Sequence, residues 1–391
     1  MFNMIKAQGK GDYLLVALSA NLLYVAVYLA QVLVGKSVVF STLFVPDGVV
    51  WLEQIYLLFE ENEFFKTIFG ESVHRGNALL FSFYSVPLLI DITMVYVVNL
   101  IVINYIVLSQ RFNDGIRLSY ILYFFVPYFW LSFALPSKDI MVLLLTYFII
   151  RNMLANRYLI AIFVSVLCIF VRDGYGVVAT GFVFLYWFLD YYGLNKKYAV
   201  PVCLLVVALL VSVSDYLVRE FYFVARNLNV AREVSNYSIT SDINSYLSYV
   251  IRVFGNLTNL AFRPQFYNLH GGIDVLSTFY WLSGVSLLLM YVLSVYYFLF
   301  KKLSAYLEIS VVFMLVMLIM ISFNPMIQPR YLFSTAIVWP YILGRFSLGF
   351  IAAAYSAVAL ISIFSYMIYE KLSMGRQVIV PFDSSVFKYF Y

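Results

Sequence analysis

Four short stretches place charged residues beside turn-forming Pro or Gly within an otherwise apolar chain. They are FVPDGVVWLEQIY (44–56), LPSKD (135–139), VRDGYG (171–176) and NPMIQPRY (324–331). Lys138, Arg172 and Arg330 each stand within one or two residues of the end of an apolar run. Three cations held at one depth around a helical bundle would make a pocket for a diphosphate. A guanidinium matches phosphate oxygens with two parallel hydrogen bonds, and a Lys adds a point charge. The same residues also suit turns whose side chains snorkel at helix ends. Asp47, in a Pro-Asp-Gly turn, is of the right type to take a proton from a sugar hydroxyl. It is equally of the right type to cap the helix that follows. Glu53 is the alternative base.

The elements that must position these residues are helices in an apolar solvent. Of 391 residues, 64% are hydrophobic and 12% charged, and the mean hydropathy is +0.90. Soluble domains carry about 45–50% apolar and about 25% charged residues, so this composition points to a bilayer. The apolar runs are continuous and lack the two-residue alternation of barrel strands. They cover roughly 13–35, 78–108, 117–135, 140–156, 158–171, 174–192, 198–218, 273–300, 304–323, 331–344 and 347–369. The fold class expected is all-α, a polytopic membrane protein of about eleven spans forming a single domain over 1–391. The run 78–108 is too long for one upright helix and divides at Pro87 into a surface helix and a span. RNMLANR (151–157) is the turn of a helical hairpin. Residues 49–61 alternate apolar residues with Glu53, Gln54, Glu60 and Glu61, the pattern of an amphipathic helix on the surface.

Lys and Arg orient the chain. Alternate short loops carry Arg111 and Arg117, Arg151 and Arg157, Lys196 and Lys197, Lys301 and Lys302, and Arg345. The opposite short turns carry Lys138, Arg172 and Arg330. By the positive-inside rule the basic loops and the N-terminus are cytoplasmic. The mixed-charge stretches then share the outer face with two long loops, 37–76 and 219–272. Asp91 and Asp215 lie in or near apolar runs, where an ionisable group is a functional candidate, but Pro87 and Arg219 nearby suggest shallow positions. Cys168 and Cys203 both lie inside apolar runs, and the only histidines are His74 and His270, so no disulfide framework can be built, and no His-based metal site unless carboxylates complete it. No Gly-rich phosphate loop lies on the cytoplasmic side, so no nucleotide cofactor is implied. The cations of the cytoplasmic loops are those orientation requires, and no nucleic-acid partner is expected.

A first span followed by an outer-loop Asp and a surface helix resembles the membrane-embedded glycosyltransferases of the GT-C type. LPSKD opening a span and QPRYLFSTAIVWP (328–340) resemble pieces recurring in those enzymes and in bacterial O-antigen and capsule repeat-unit polymerases. Size, span count and aromatic richness resemble the polymerases most closely. The resemblance implies an enzyme of the bacterial inner membrane that joins polyprenyl-diphosphate-linked glycans at the outer face, among membrane lipid, with a chain-length regulator protein as partner. It assigns Arg172 and Arg330, with Lys138, to the diphosphate, and Asp47, or Glu53 as the alternative, is the base read from the residues themselves. Trp51, Tyr175 and Tyr331 would stack on sugar rings, with Asp173 beside them. Arg252 and Arg263, in the large loop 219–272, would close over the substrate. The polymerases have two large outer loops in the middle and later parts of the chain, whereas here only 219–272 fits that position. A single-sugar transferase using a polyprenyl-phosphate sugar therefore stays open, as does a lipid-linked glycan flippase or transporter.

The basic loops make the topology testable. Cysteines placed at Ser137 and Asp173 should react with an impermeant thiol reagent applied from outside intact cells, and one at Lys196 should not. The reverse labelling would overturn the orientation.

Overall fold

The computed structural model describes residues 17–26, 29, 83–85, 92–109, 138–220, 275–322 and 332–374, and these are helical, with no strand among them. The helices are α1 (Ala17–Ala26), α2 (Ile92–Ser109), α3 (Lys138–Leu154), α4 (Tyr158–Val171), α5 (Asp173–Tyr191), α6 (Ala199–Glu220), α7 (Val275–Phe300), α8 (Ala305–Ile321), α9 (Trp339–Leu343) and α10 (Leu348–Met374). Two 3-10 segments, Lys196–Tyr198 and Phe333–Val338, precede α6 and α9. The expected run 117–135, the surface helix after Asp47, and most of both long loops lie outside the described residues.

Helix α8 occupies the centre. Every residue from Ile309 to Ile319 is buried, as a helix apolar on all sides must be, and α5, α6, α7 and α9 pack around it. The outward faces are apolar as well. Leu159 and Phe163 on α4, Phe188 on α5, Leu205 on α6, Leu299 on α7, and Leu360 and Phe364 on α10 are all exposed. Buried hydroxyls inside helices turn back on their own backbone: Ser294 donates to Met290 O at 2.8 Å and Ser310 to Tyr306 O at 2.7 Å. That habit satisfies a hydroxyl where no water is at hand. Among the described residues one stretch, Trp281–Phe300, is long and apolar enough to cross a membrane by length and composition.

The connections are short because each helix end satisfies its own backbone. After α3, Asn156 adopts φ 56°. Arg157 N–H then reaches Asn152 O at 2.8 Å, and Asn156 N–H reaches Met153 O at 3.0 Å. Gly193, at φ 64°, does the same after α5, with Leu194 N–H on Leu189 O at 2.8 Å. Both are paired bonds around a left-handed residue, which Asn and Gly tolerate best. The hairpin read from RNMLANR is thus present.

Between α4 and α5 a single residue, Arg172, makes the corner, with φ −149° and ψ 93°. Its N–H bonds Cys168 O at 2.9 Å, and its carbonyl accepts Gly176 N–H at 2.8 Å. Such a tight corner presses α5 onto α4. A Cβ on Gly176 would lie 2.2 Å from Ile169 N and 2.6 Å from the Cys168 carbonyl carbon.

The run 331–344 departs from the continuous helix expected of it. Pro340 has no N–H for Ala336 O, and its ring crowds that carbonyl. Ala336 O instead accepts Trp339 N–H three residues on. The stretch before Pro340 therefore winds as 3-10, and only five residues continue as α9.

Gly176→Ala should destabilise the protein by about 2 kcal/mol or more, because the atoms it meets are backbone and cannot move aside. Gly174→Ala, with nothing within 4 Å of its added Cβ, should stay within about 0.5 kcal/mol of the parent. Thermal unfolding of the detergent-purified variants checks both.

Candidate functional site: the ion pair at the α4–α5 corner

Antiparallel α3, α4 and α5 bring the start of α3 and the α4–α5 corner to one end of the bundle. There the Arg172 guanidinium meets the Asp139 carboxylate, Nη1 to Oδ1 at 2.7 Å, with each side chain 14% exposed. The contact is an ion pair without an aligned hydrogen bond to that oxygen. Both charges suit their positions. Asp139 lies in the first turn of α3, where the helix dipole favours an anion, and Arg172 follows the last turn of α4, where it favours a cation, although the α5 dipole that begins there opposes it. Lys138, the first residue of α3, stands half-buried at the same end.

A set of neutral polar groups lies below the ion pair. Thr146 Oγ1 donates to Val142 O at 2.6 Å, so the Tyr175 hydroxyl, 2.8 Å away, must donate to Thr146. Ser334, on the 3-10 segment, is Tyr175's neighbour. Thr335 Oγ1 donates to Leu332 O and accepts the Trp339 indole N–H at 3.4 Å. Tyr291, on α7, approaches Thr335. Tyr291 and Ser334 hydroxyls are buried with no aligned partner. Four elements, α3, α5, α7 and the 3-10 segment, thus contribute hydroxyls to one interior cluster.

The opposite end has different chemistry. Asp190 accepts the Tyr158 hydroxyl at 2.7 Å and pairs with Lys196 at 2.6 Å. Lys197 Nζ donates to Phe298 O at 2.7 Å and Lys301 O at 3.4 Å, carbonyls at the C-terminus of α7. Arg151 reaches the hydroxyls of Tyr147 at 3.3 Å and Tyr105 at 3.4 Å. These cations close helix ends and pin loops to the bundle.

The structure brings Lys138 and Arg172 to one end of the bundle and places Asp173 at the first residue of α5. Tyr175 does not present an open face to a sugar. It is 4% exposed, turned inward by the corner, and its hydroxyl ties α5 to α3. Asp47, Trp51, Glu53, Arg252, Arg263, Arg330 and Tyr331 lie outside the described residues. Asp139 is the residue that sequence reasoning passed over, although it sits beside Lys138 in LPSKD. Its role depends on which way α3 is turned, which no local pattern records. Thr146, Tyr291, Ser334 and Thr335 were also missed. Hydroxyls interrupting apolar runs were their signal.

Chemically, the site offers a guanidinium held by a carboxylate beside a cluster of buried hydroxyls. A phosphate would compete with Asp139 for the same donors, since both are planar or tetrahedral oxyanions of matching reach. Compared with protein-family models, curated proteins and solved structures, the chain matches none.

Removing either partner leaves a partly desolvated charge. Asp139→Ala and Arg172→Ala should each lower the unfolding temperature, and the double variant should cost less than their sum. The coupling should be about 1–3 kcal/mol, the range for contacting groups. Strict additivity in the thermal double-mutant cycle would mean that the pair is not formed in solution.

Proposed function

We propose that this chain is a polytopic membrane glycosyltransferase of the repeat-unit polymerase kind, acting on polyprenyl-diphosphate-linked glycans at the outer face of the bacterial inner membrane. The single observation that carries the reading is the segregation of charge. Lys138, Asp139 and Arg172 gather at one end of the described bundle, opposite the end bearing Lys196, Lys197, Lys301 and Lys302. A lipid-linked substrate needs its phosphates bound at the depth where acyl chain meets water, and span-end cations supply that. The exposed apolar side chains around α4, α5, α6, α7 and α10 support a lipid surround, because soluble proteins rarely expose contiguous apolar surface beyond a few hundred Å².

In this reading Arg172 exchanges Asp139 for a phosphate oxygen, with Lys138 and Arg330 sharing the load. Positive charge placed where the diphosphate departs stabilises the transition state more than the ground state. Asp47 takes the acceptor hydroxyl proton, with Glu53 as the alternative. Trp51 and Tyr331 offer ring faces to the glycan, and Arg252 and Arg263 come from the loop that closes over it. Asp139 becomes the resting partner that keeps the Arg172 guanidinium aimed and paired between turnovers.

A second reading, a transporter of lipid-linked glycan, draws on the broken element at Phe333–Val338. Interrupted helices with buried polar groups are the usual binding elements of secondary transporters. A purified assay separates the two. The wild-type protein, given polyprenyl-diphosphate-linked repeat units, should extend them. Asp47→Asn keeps most helix-capping ability and should lower the rate by about 10²–10⁴, the worth of a positioned acid–base group. Arg172→Ala should lower it at least tenfold, with Arg172→Lys a partial rescue. No extension by the wild type, with transport of the lipid-linked glycan in vesicles, would decide for the transporter. Full activity of Asp47→Asn would move the base to Glu53.

A further inference from the structure

We infer that the bundle end opposite the ion pair carries a headgroup site for an anionic phospholipid, formed by Lys301, Lys302 and Arg345. The inference rests on the membrane reading above but not on the glycosyltransferase reading. Three cations at this end already have work within the protein. Lys196 pairs with Asp190, Lys197 caps the carbonyls ending α7, and Arg151 reaches two tyrosine hydroxyls. Lys301, Lys302 and Arg345 differ. All three are exposed, and among the described residues none has a carboxylate within ion-pair distance.

They also share one place. Lys301 and Lys302 follow α7 directly, with Lys301 N–H still bonded to Tyr297 O at 3.2 Å. Arg345 lies in the connection between α9 and α10. The next residue, Phe346, sets its ring edge-on to Tyr297 with centroids 5.7 Å apart. The two loops are therefore locked together by an aromatic contact at the last turn of α7. Lys301 Nζ sits 5.6 Å above the Tyr296 ring, and Phe346 stacks on Phe350 at 4.9 Å. Rings with apolar bodies beside unneutralised cations are the make-up of a membrane interface.

What distinguishes a lipid from a soluble anion is the surface running away from the cations. Val292, Val295, Tyr296 and Leu299 fall on one face of α7, and all are exposed. Phe350, also exposed, lies one turn into α10, which packs on α7. A phosphate over the cations would thus lay its acyl chains along an apolar stripe that is already present. A soluble phosphate would use the cations and leave the stripe bare. Anionic lipids of the cytoplasmic leaflet attract basic residues near the surface in this way.

Native mass spectrometry of the detergent-purified protein tests the assignment, with phosphatidylglycerol, phosphatidylcholine and inorganic phosphate as probes. Phosphatidylglycerol should bind in preference to phosphatidylcholine, and high salt should weaken it. Lys301→Gln, Lys302→Gln and Arg345→Gln should each reduce its affinity by about fivefold, the effect of one basic residue near a charged surface. The single variants are read alongside the triple, so a folding failure of the triple leaves the test standing. Equal binding of the two lipids, or unchanged affinity in every single variant, overturns the site. Competition by inorganic phosphate at the same concentration as the lipid would make it a soluble-anion site instead. A protein that leaves the membrane fraction without detergent would defeat the membrane reading itself, a separate outcome.

Discussion

The corner at Arg172 constrains more of the described bundle than any other single feature, because one residue must end α4, begin α5 and hold a charge against α3. The backbone part is allowed by Gly176, whose missing side chain is the space α4 occupies. The electrostatic part is allowed by Asp139, which places an anion at the start of one helix against a cation at the end of another. Desolvating two charges is costly, and attraction between them offsets that cost only when the geometry is good. Here the dipoles of α3 and α4 add to the attraction, while that of α5, whose N-cap is Arg172, opposes it. Tyr175 then follows from the corner. Three residues past Arg172 it faces α3, where Thr146 Oγ1, its proton given to its own helix, is left to accept.

Satisfying polar groups within the protein is the common theme of the interior. Asn21 and Asn104 exchange side-chain hydrogen bonds at 3.0 and 2.8 Å while each also donates to its own helix. Tyr84 donates to Asn99 at 2.6 Å, and the Trp281 indole donates to Ser362 at 2.8 Å. Between helices with apolar exteriors such contacts supply direction that dispersion alone lacks. Against that background, the Tyr291 and Ser334 hydroxyls near Phe333–Val338, like those of Tyr186 on α5 and Ser322 after α8, stand without an aligned partner.

The two ends of the bundle use charge differently. At one, a carboxylate holds a guanidinium at the rim of the interior, so any oxyanion that binds there must displace it. At the other, lysines close helix termini, and Arg157, Lys301, Lys302 and Arg345 face outward. Antiparallel connection of α3 to α10 is what keeps these populations apart, since alternate loops must fall at the same end.

The sequence by itself determined where most helices run and where they turn. Apolar runs 158–171 and 304–323 coincide with α4 and α8 to within about two residues, because length and hydropathy decide helix formation where no face needs to be polar. RNMLANR was legible because left-handed backbone selects Asn locally. The gathering of Lys138 with Arg172 followed from counting turns. Only the tertiary structure decided that Asp139 pairs with Arg172, that Tyr175 points inward, and that Gly176 is required while Gly174 is not. Each of these depends on how far α3, α4 and α5 are rotated against one another. The run 331–344 shows the same limit from the other side: its hydropathy reads as one helix, but the carbonyl that Pro340 leaves without a donor is satisfied by a tighter winding. Rotation about a helix axis is set by packing over the whole contact face, which a linear pattern of apolar residues all round the helix does not encode.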